Sequence, residues 1–341
     1  MSESFSSINS YLRCAKLYWY KYVRNLQRKK QEGPLRDGAM AHHMLMEGFL
    51  FMQRGEDPLT GVGEGWNSLA EELTNLIPWT DQLETALDNL RDLYRIVVRY
   101  FNQADFEGWE VLHVEEEFAI EIDGTMLTFT PDLVLRDPFG KVWIVDHKTT
   151  SSMPDGIPFS SQQSLLYYAG VKAHYPETAG FLFNFLRKKL PTEPRLNKTK
   201  DKDSGLYFIN DLNRIDTEYE MLRDFLQNEA PELLDDPRHR ERLAHLRDHP
   251  NRFFFMQRVL ANDLAAQTII DETGVVLVDL AVRKEADQWP RTLRDDGGYT
   301  SCDRCEFQSI CAAELLGLNT EFVLQEYEPR EAKNEYESED A

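Results

Sequence analysis

The chain has 341 residues, 42% of them hydrophobic and 11% aromatic, which is ample for a core and too apolar for a disordered protein. Its formal net charge of −21 opposes indiscriminate adhesion to phosphate backbones, so any contact with nucleic acid must be confined to one groove. No apolar run is long enough to span a bilayer, and the polar Met1 to Ser10 lacks the pattern of a cleaved leader, so a soluble cytoplasmic protein with no membrane partner is expected.

Ser4 to Tyr22 is predicted as one helix. Ile8, Tyr11, Leu12, Ala15, Tyr18, Trp19 and Tyr22 recur at helical spacing, Ser6 or Ser7 can cap it, and Cys14 falls inside it. A basic linker from Arg28 to Gly38 leads to a second helix near Ala39 that carries His42 and His43. A third helical stretch covers Leu83 to Asn102.

The period then changes to two. Glu110 to Ile122, Met126 to Arg136 and Val142 to Asp146 are β-rich runs separated by Asp123-Gly124 and by Asp137-Pro138-Phe139-Gly140. They are predicted as a three-strand meander with Asp132 and Asp146 on its strands. Ser160 to Tyr175 returns to helix, and Gly180 to Leu186 is a further strand. Arg187 to Ser204 is a basic, proline-containing loop, Thr217 to Leu260 is charged and helical, and Cys302 to Leu316 is a loop running into a short helix. From Glu326 to Ala341 seven acids stand against two bases, a predicted disordered tail that leaves the body near −16.

Two constellations carry chemistry. Asp132 and Asp146 come from neighbouring strands and can converge on one hard divalent cation. Lys148 lies two residues beyond Asp146, hence on the same strand face, where its ammonium can hold a water or a phosphate. Mg²⁺ or Mn²⁺ held this way neutralises phosphoryl oxygens and activates water, the requirement for cutting a phosphodiester. The carbonyl of His147 is a further candidate ligand, and Glu115 a lesser one. The second constellation is the full set of four cysteines, Cys14 and Cys302-x2-Cys305-x5-Cys311. In a reducing compartment they read as metal ligands, and the spacing allows four-thiolate zinc or an iron–sulfur cluster.

Pro131-Asp132 followed by Val145-Asp146-His147-Lys148-Thr149-Thr150 resembles the signature of the PD-(D/E)XK nuclease superfamily. Its surroundings resemble the RecB-like exonuclease branch, with close similarity to phage-encoded members. Gln163 to Tyr167 is similar to that branch's QxxxY motif, and these two residues share one helix face at i and i+4. Gly38-Ala-Met-Ala-His42 matches the branch's Gly-x-x-x-His pattern. A glutamate four residues after the histidine would instead pick His43 with Glu47; His42 is preferred because Leu45 and Phe49 place it on an inward, apolar face. The cysteine order resembles the iron–sulfur subset of the branch, in which the cluster ties the chain ends together, and the resemblance implies [4Fe–4S] in place of zinc. It covers Ser6 to about Leu316 and is thinnest from Thr217 to Asp287.

The resemblance implies an α/β, restriction-endonuclease-like core, a central mixed sheet flanked by helices, with a helical annex and an iron–sulfur clasp. One nuclease domain would span 1–325: helices with Cys14 and His42 (1–105), the catalytic sheet core (106–190), a basic loop and helical insertion (191–300) and the cysteine cluster (301–325). A disordered tail would follow at 326–341. The expected activity is that of a Mg²⁺- or Mn²⁺-dependent deoxyribonuclease acting on DNA ends or single strands in recombination, replication or repair. A helicase or annealing protein is an expected partner, and the host cytoplasm the setting if the chain is phage-encoded. Asp132, Asp146, Lys148, Gln163 and Tyr167 would be catalytic, with His42, Asp132, Asp146 and His147 on the metal. Gln163, Tyr167, Arg187 and Lys188 would touch the substrate, and Tyr18, Trp19, Tyr20 and Tyr22 either stack on unpaired bases or pack as core. The alternative is a non-catalytic nuclease fold serving as a DNA-binding scaffold.

Overall fold

The computed structural model describes residues 2–29, 37–77, 80–152, 161–198, 207–209, 211–250, 252–294 and 302–330. A short strand, β1 (Ser2–Ser4), leads into α1 (Phe5–Arg13). The Ser4 hydroxyl accepts the Ser7 N–H and the Ser7 hydroxyl accepts that of Ser4, a reciprocal capping box one turn earlier than the predicted cap. The single helix expected to Tyr22 breaks at Cys14, which is extended at φ −167°. Beyond it lie α2 (Ala15–Tyr18) and a π-helical turn at Trp19–Val23. The periodic apolar pattern runs through the break, but Cys14 Sγ accepts the N–H of Thr292, a tertiary contact that overrides the local preference.

After β2 (Leu26–Arg28) come three long helices, α3 (Asp37–Gln53), α4 (Pro58–Leu76) and α5 (Asp81–Gln103). The α4 helix was not among the predicted elements, because Gly61, Gly63 and Gly65 depress helix propensity. Two of these glycines are there for packing. A Cβ on Gly61 would stand 2.4 Å from the Glu47 carbonyl oxygen, and one on Gly65 3.2 Å from Met44 Cα, so α4 lies close on α3.

The β-rich segment is β3 (Glu110–Val114), β4 (Phe118–Ile122), β5 (Thr125–Phe129), β6 (Leu133–Arg136) and β7 (Val142–Thr150). It is not one meander. The β4–β5 hairpin leaves the main sheet and pairs with β1 in the order β1-β5-β4. Two chain features divide the predicted runs: Glu115 at φ +47°, and Pro131, whose missing N–H cannot continue a ladder. Asp132 therefore sits in a bend, not on a strand.

The crossover helix α6 (Gln162–His174) returns the chain to β8 (Thr178–Arg187), parallel to β7. Next come α7 (Tyr219–Asn228) and α8 (Pro237–Asp248), which close a small core of their own around Leu222, Leu226, Leu233 and Leu246. Phe254–Leu260, expected to be helical, is strand β9, antiparallel to β8 at the sheet edge. The aromatic pair Phe254-Phe255 and the β-branched Val259 suit a half-covered strand better than a helix. The chain closes with α9 (Asp263–Ala286), α10 (Gln308–Leu315), α11 (Glu321–Leu324) and β10 (Tyr327–Pro329). Since β10 pairs with β2, the start of the predicted acidic tail belongs to the fold; residues 331–341 lie outside the described residues.

The main sheet is thus mixed, in the order β3-β6-β7-β8-β9, and flanked by helices. On one face Leu133, Leu135, Trp143 and Val145 join the core of α3, α4 and α5; on the other Val134, Ile144, Phe181 and Phe183 meet Leu165, Tyr168 and Val171 of α6. This is the α/β class expected for a restriction-endonuclease-like core.

Candidate active site

The β6–β7 hairpin sets the site. At its turn the buried Asp137 carboxylate accepts the Phe139 and Lys141 N–H groups and the Trp143 indole N–H, each at 2.9 Å. The resulting register pairs Arg136 with Val142 and Leu133 with Val145, and one further step sets Asp132 across from Asp146.

Along β7 the side chains alternate between the two cores. Trp143 and Val145 enter the α3–α5 side, Val142 and Ile144 the α6 side. Continuing that alternation, Asp146 and Lys148 share the α6 face and His147 takes the α3 face. The contacts agree. Lys148 Nζ lies 3.2 Å from Asp146 Oδ1, while the His147 ring stacks on Phe49 of α3 at 5.6 Å and meets the His42 ring edge-on at 6.0 Å.

Asp132 reaches the His147 amide and the α3 side. Its Oδ2 accepts the His147 backbone N–H at 2.7 Å and lies 3.8 Å from His42 Nδ1. His42 is therefore the histidine beside Asp132; its neighbour His43 is buried, and that burial pushes its pKa down. Among the described residues no group of three or more His, Cys, Asp or Glu side chains stands ready to hold a metal ion. Asp132 and Asp146 are engaged by the His147 amide and by Lys148. Of the candidate donors, the two carboxylates and the carbonyl of His147 have the hard oxygen character that Mg²⁺ or Mn²⁺ selects, and the His42 imidazole adds a nitrogen.

A residue the sequence reading missed supports His147 from behind. Asn184 of β8 is fully buried and donates its Nδ2–H to His147 Nδ1 at 2.8 Å, which assigns the ring proton to Nε2. Burial pushes the His147 pKa down to about 4, so the ring is neutral near pH 7. The available signal was a lone polar residue in the apolar run Phe181-Leu182-Phe183-Asn184-Phe185-Leu186.

On α6, whose start is capped by Ser161, Gln163 Nε2 donates to the Tyr167 hydroxyl at 3.2 Å. The Tyr167 ring is anchored by stacking on Phe129 at 4.5 Å. The QxxxY pair is thus one hydrogen-bonded unit on the helix that covers the Asp146 and Lys148 face.

The basic residues are less open than their sequence suggests. Arg187 makes a two-pronged contact with Asp216, at 3.1 and 2.8 Å, and Lys189 reaches the same carboxylate at 2.8 Å. Burial would raise the Asp216 pKa, but the hydrogen bonds from Lys189 and Arg187 outweigh it and hold the group below its usual range. Lys188 lies 3.7 Å from Asp37 at the start of α3. Asp216 and Asp37 were not anticipated, being remote in sequence from their partners. Lys200 and Lys202 of the same loop lie outside the described residues. Tyr18 and Tyr20 are buried and Lys16 covers the face of Trp19 at 3.5 Å, so of the two readings of this aromatic cluster the structure favours core packing.

The cysteines come from both ends of the chain to one region. Cys14, Cys305 and Cys311 pack against a common cluster of Leu17, Tyr20, Phe307, Ile310 and Tyr327, and all four thiols are free. Thr292 N–H donates to Cys14 Sγ at 3.3 Å and Arg294 N–H to Cys302 Sγ at 3.4 Å, while the Arg291 guanidinium donates to Cys311 Sγ at 3.3 Å. Three sulfurs that accept from N–H groups, one of them cationic, suit thiolate ligands of a metal centre.

A family model of the PD-(D/E)XK nuclease superfamily matches residues 2–312. The chain belongs to the PD-(D/E)XK nuclease superfamily. Members of the superfamily generally work with divalent metals such as Mg²⁺ or Mn²⁺, in keeping with the carboxylates of Asp132 and Asp146 described above. A search of characterised protein sequences finds no match. Among solved structures, a chain from Eubacterium rectale provisionally named an exonuclease is 12% identical, with 78% of this chain and 87% of that one covered and a TM-score of 0.35. A chain named SSO0001 is 13% identical, with 69% and 90% covered and a TM-score of 0.20. Membership rests on the family match alone.

Proposed function

We propose that this PD-(D/E)XK protein is a Mg²⁺- or Mn²⁺-dependent deoxyribonuclease of the RecB-like branch, an exonuclease working on DNA ends or single strands. The observation that carries the reading is Lys148 set 3.2 Å from Asp146 on one strand face, across the hairpin from Asp132, which itself lies 3.8 Å from His42. Asp132, Asp146, His42 and the carbonyl of His147 would hold the cation. When bound there, a divalent ion supplies charge neutralisation at the phosphoryl oxygens and a lowered pKa for the attacking water. Lys148 holds that water, or a non-bridging oxygen, by an ammonium hydrogen bond on the same face as Asp146. The Gln163–Tyr167 unit positions the substrate strand over that face, and Lys188 contacts a flanking phosphate. Arg187 joins it only when phosphate displaces Asp216.

The four cysteines are read as ligands of a [4Fe–4S] cluster that fastens the N-terminal helices to the C-terminal segment, with one nuclease domain that takes in β10 beyond the expected limit at 325. The resemblance to phage-encoded members favours a role in recombination, replication or repair, with a helicase or annealing protein delivering the DNA. The test is digestion of end-labelled single- and double-stranded DNA with Mg²⁺ or Mn²⁺. Asp146→Asn and Lys148→Ala should each lose at least about a hundredfold in rate, the scale of lost acid–base and electrostatic assistance. Both side chains are about one-third exposed, so unfolding midpoints should scarcely move. Equal cleavage by wild type and both variants would leave only the scaffold reading.

A further inference from the structure

The segment between α9 and the cysteine loop is held in place before it meets any sulfur. Trp289 stacks on Tyr18 at 5.5 Å, and the Pro290 carbonyl accepts the Lys16 N–H at 3.2 Å, which fixes the segment against α2. The next four residues then face the thiols. Arg291 donates its Nε–H to Cys311, Thr292 its backbone N–H to Cys14, and Arg294 its backbone N–H to Cys302. The Arg294 carbonyl in turn accepts the Cys302 N–H at 2.9 Å. Three of the four cysteines thus receive a donor from one stretch of four residues.

The Arg291 side chain is itself positioned. Its second nitrogen donates to Glu314 at 2.9 Å, and Glu314 also takes Lys16 at 3.1 Å. Arg291 therefore lies between a carboxylate that fixes its direction and the Cys311 sulfur. A surface arginine placed only for solubility would need neither.

We propose that Arg291–Arg294 is a donor strap for the metal–thiolate centre and that Arg291 is its positioning residue, orienting Cys311 and offsetting thiolate charge. This rests on the iron–sulfur reading of the cysteines given above. N–H donors and a nearby cation stabilise negative charge on ligand sulfur, and more so in the reduced cluster, which carries one more electron. Removing the guanidinium should lower the cluster's reduction potential and speed its loss, with the backbone donors of Thr292 and Arg294 still in place.

The experiment uses the full chain, purified or reconstituted anaerobically. Iron and acid-labile sulfide are counted, the visible absorption near roughly 400 nm is followed during chelation under air, and the midpoint potential is found by titration with dithionite. Arg291→Met should bleach several-fold faster than wild type and show a lower potential. Arg291→Lys, which keeps the charge and loses the planar fork, should fall between them. If Arg291→Met folds poorly, the lysine variant and Glu314→Gln, which frees the guanidinium from its anchor, carry the same comparison. Equal bleaching rates and potentials in wild type and variants would overturn the strap while leaving the cluster. A wild-type protein that takes up zinc, or no iron and sulfide at all, would overturn the cluster reading and the strap with it.

Discussion

Asp137 lies at the far end of the hairpin from Asp132 and Asp146, yet it should control how firmly their register is held. Its carboxylate accepts three N–H groups at 2.9 Å, and Trp143, the indole donor, is only 5% exposed. Hydrogen bonds to a charged acceptor contribute about 1.5–3 kcal/mol each, and a buried donor left unmade costs about 1–3 kcal/mol. The two turn amides are near solvent and count at the low end, and the carboxylate's own desolvation subtracts from the total. Asp137→Ala should therefore destabilise by about 3 kcal/mol and Asp137→Asn, which turns an amide toward the indole N–H, by about 2 kcal/mol. At about 1.4 °C per kcal/mol for a chain of this size, the midpoint should fall by roughly 3–4 °C.

The pH dependence has a definite sign. Burial raises the Asp137 pKa, but hydrogen bonds from Trp143, Lys141 and Phe139, with Arg258 nearby, bring it below the usual 3.8. A depressed carboxylate stabilises the fold fully above its unfolded pKa, and that contribution is lost as pH falls through the folded value. In urea titrations the gap between wild type and Asp137→Asn should be constant from pH 8 to about 5 and narrow below pH 4. A gap under about 1 kcal/mol at pH 7, or one that does not narrow in acid, would refute the assignment. Cleavage per folded molecule should be unchanged.

His42→Ala should raise the Mn²⁺ concentration needed for half-maximal cleavage by about tenfold or more, as loss of a ligand or ligand-orienting group does, whereas His43→Leu should leave it unaltered; the reverse result would reassign the histidine. Asp216→Asn should release Arg187 and Lys189, tighten DNA binding at low salt and steepen the slope of log K against log salt by about one; an unchanged slope would mean that neither cation reaches phosphate. Asn184→Leu should cost only about 1 kcal/mol, because the lost bond to His147 is partly offset by removing an Asn184 oxygen that has no partner among the described residues; a cost above about 3 kcal/mol would show that the pair does more than hold the ring.

Much of the candidate site's geometry was legible because it is local. Asp146 and Lys148 are two residues apart, and period-two geometry alone places them on one face. Gln163 and Tyr167 are four apart on a helix, and their hydrogen bond follows. What escaped was set by distant partners. Cys14 leaves its helix for a contact 278 residues away, and β9 forms because β8 offers it an edge. Asp216 acquires its role only when the chain returns to Arg187. The α4 helix was hidden by glycines whose purpose, close approach to α3, cannot be read without α3 in place.

The bend at Asp132 shows why the superfamily's proline and first aspartate belong together in this chain. Within a strand a side chain is committed to one face. Asp146 and Lys148 lie toward α6, His42 and His147 toward α3, and a residue at 132 held in the strand by the β6–β7 register would side with Asp146. Pro131 cannot extend the β5 ladder, so β6 begins only at Leu133 and Asp132 is left in the bend between them. From there its Oδ2 accepts the His147 amide and approaches His42, while the β6–β7 register keeps its backbone across from Asp146. A proline at 131 thus frees the Asp132 side chain to meet the His147 amide and His42. Pro131→Ala would restore an N–H and allow β5 to run on, drawing Asp132 into the ladder. Cleavage should then fall by at least about tenfold, the order expected when a catalytic group is misplaced by about 1 Å, and the Mn²⁺ requirement should rise with little change in stability. Full activity in that variant would mean that the bend is maintained by the hairpin alone.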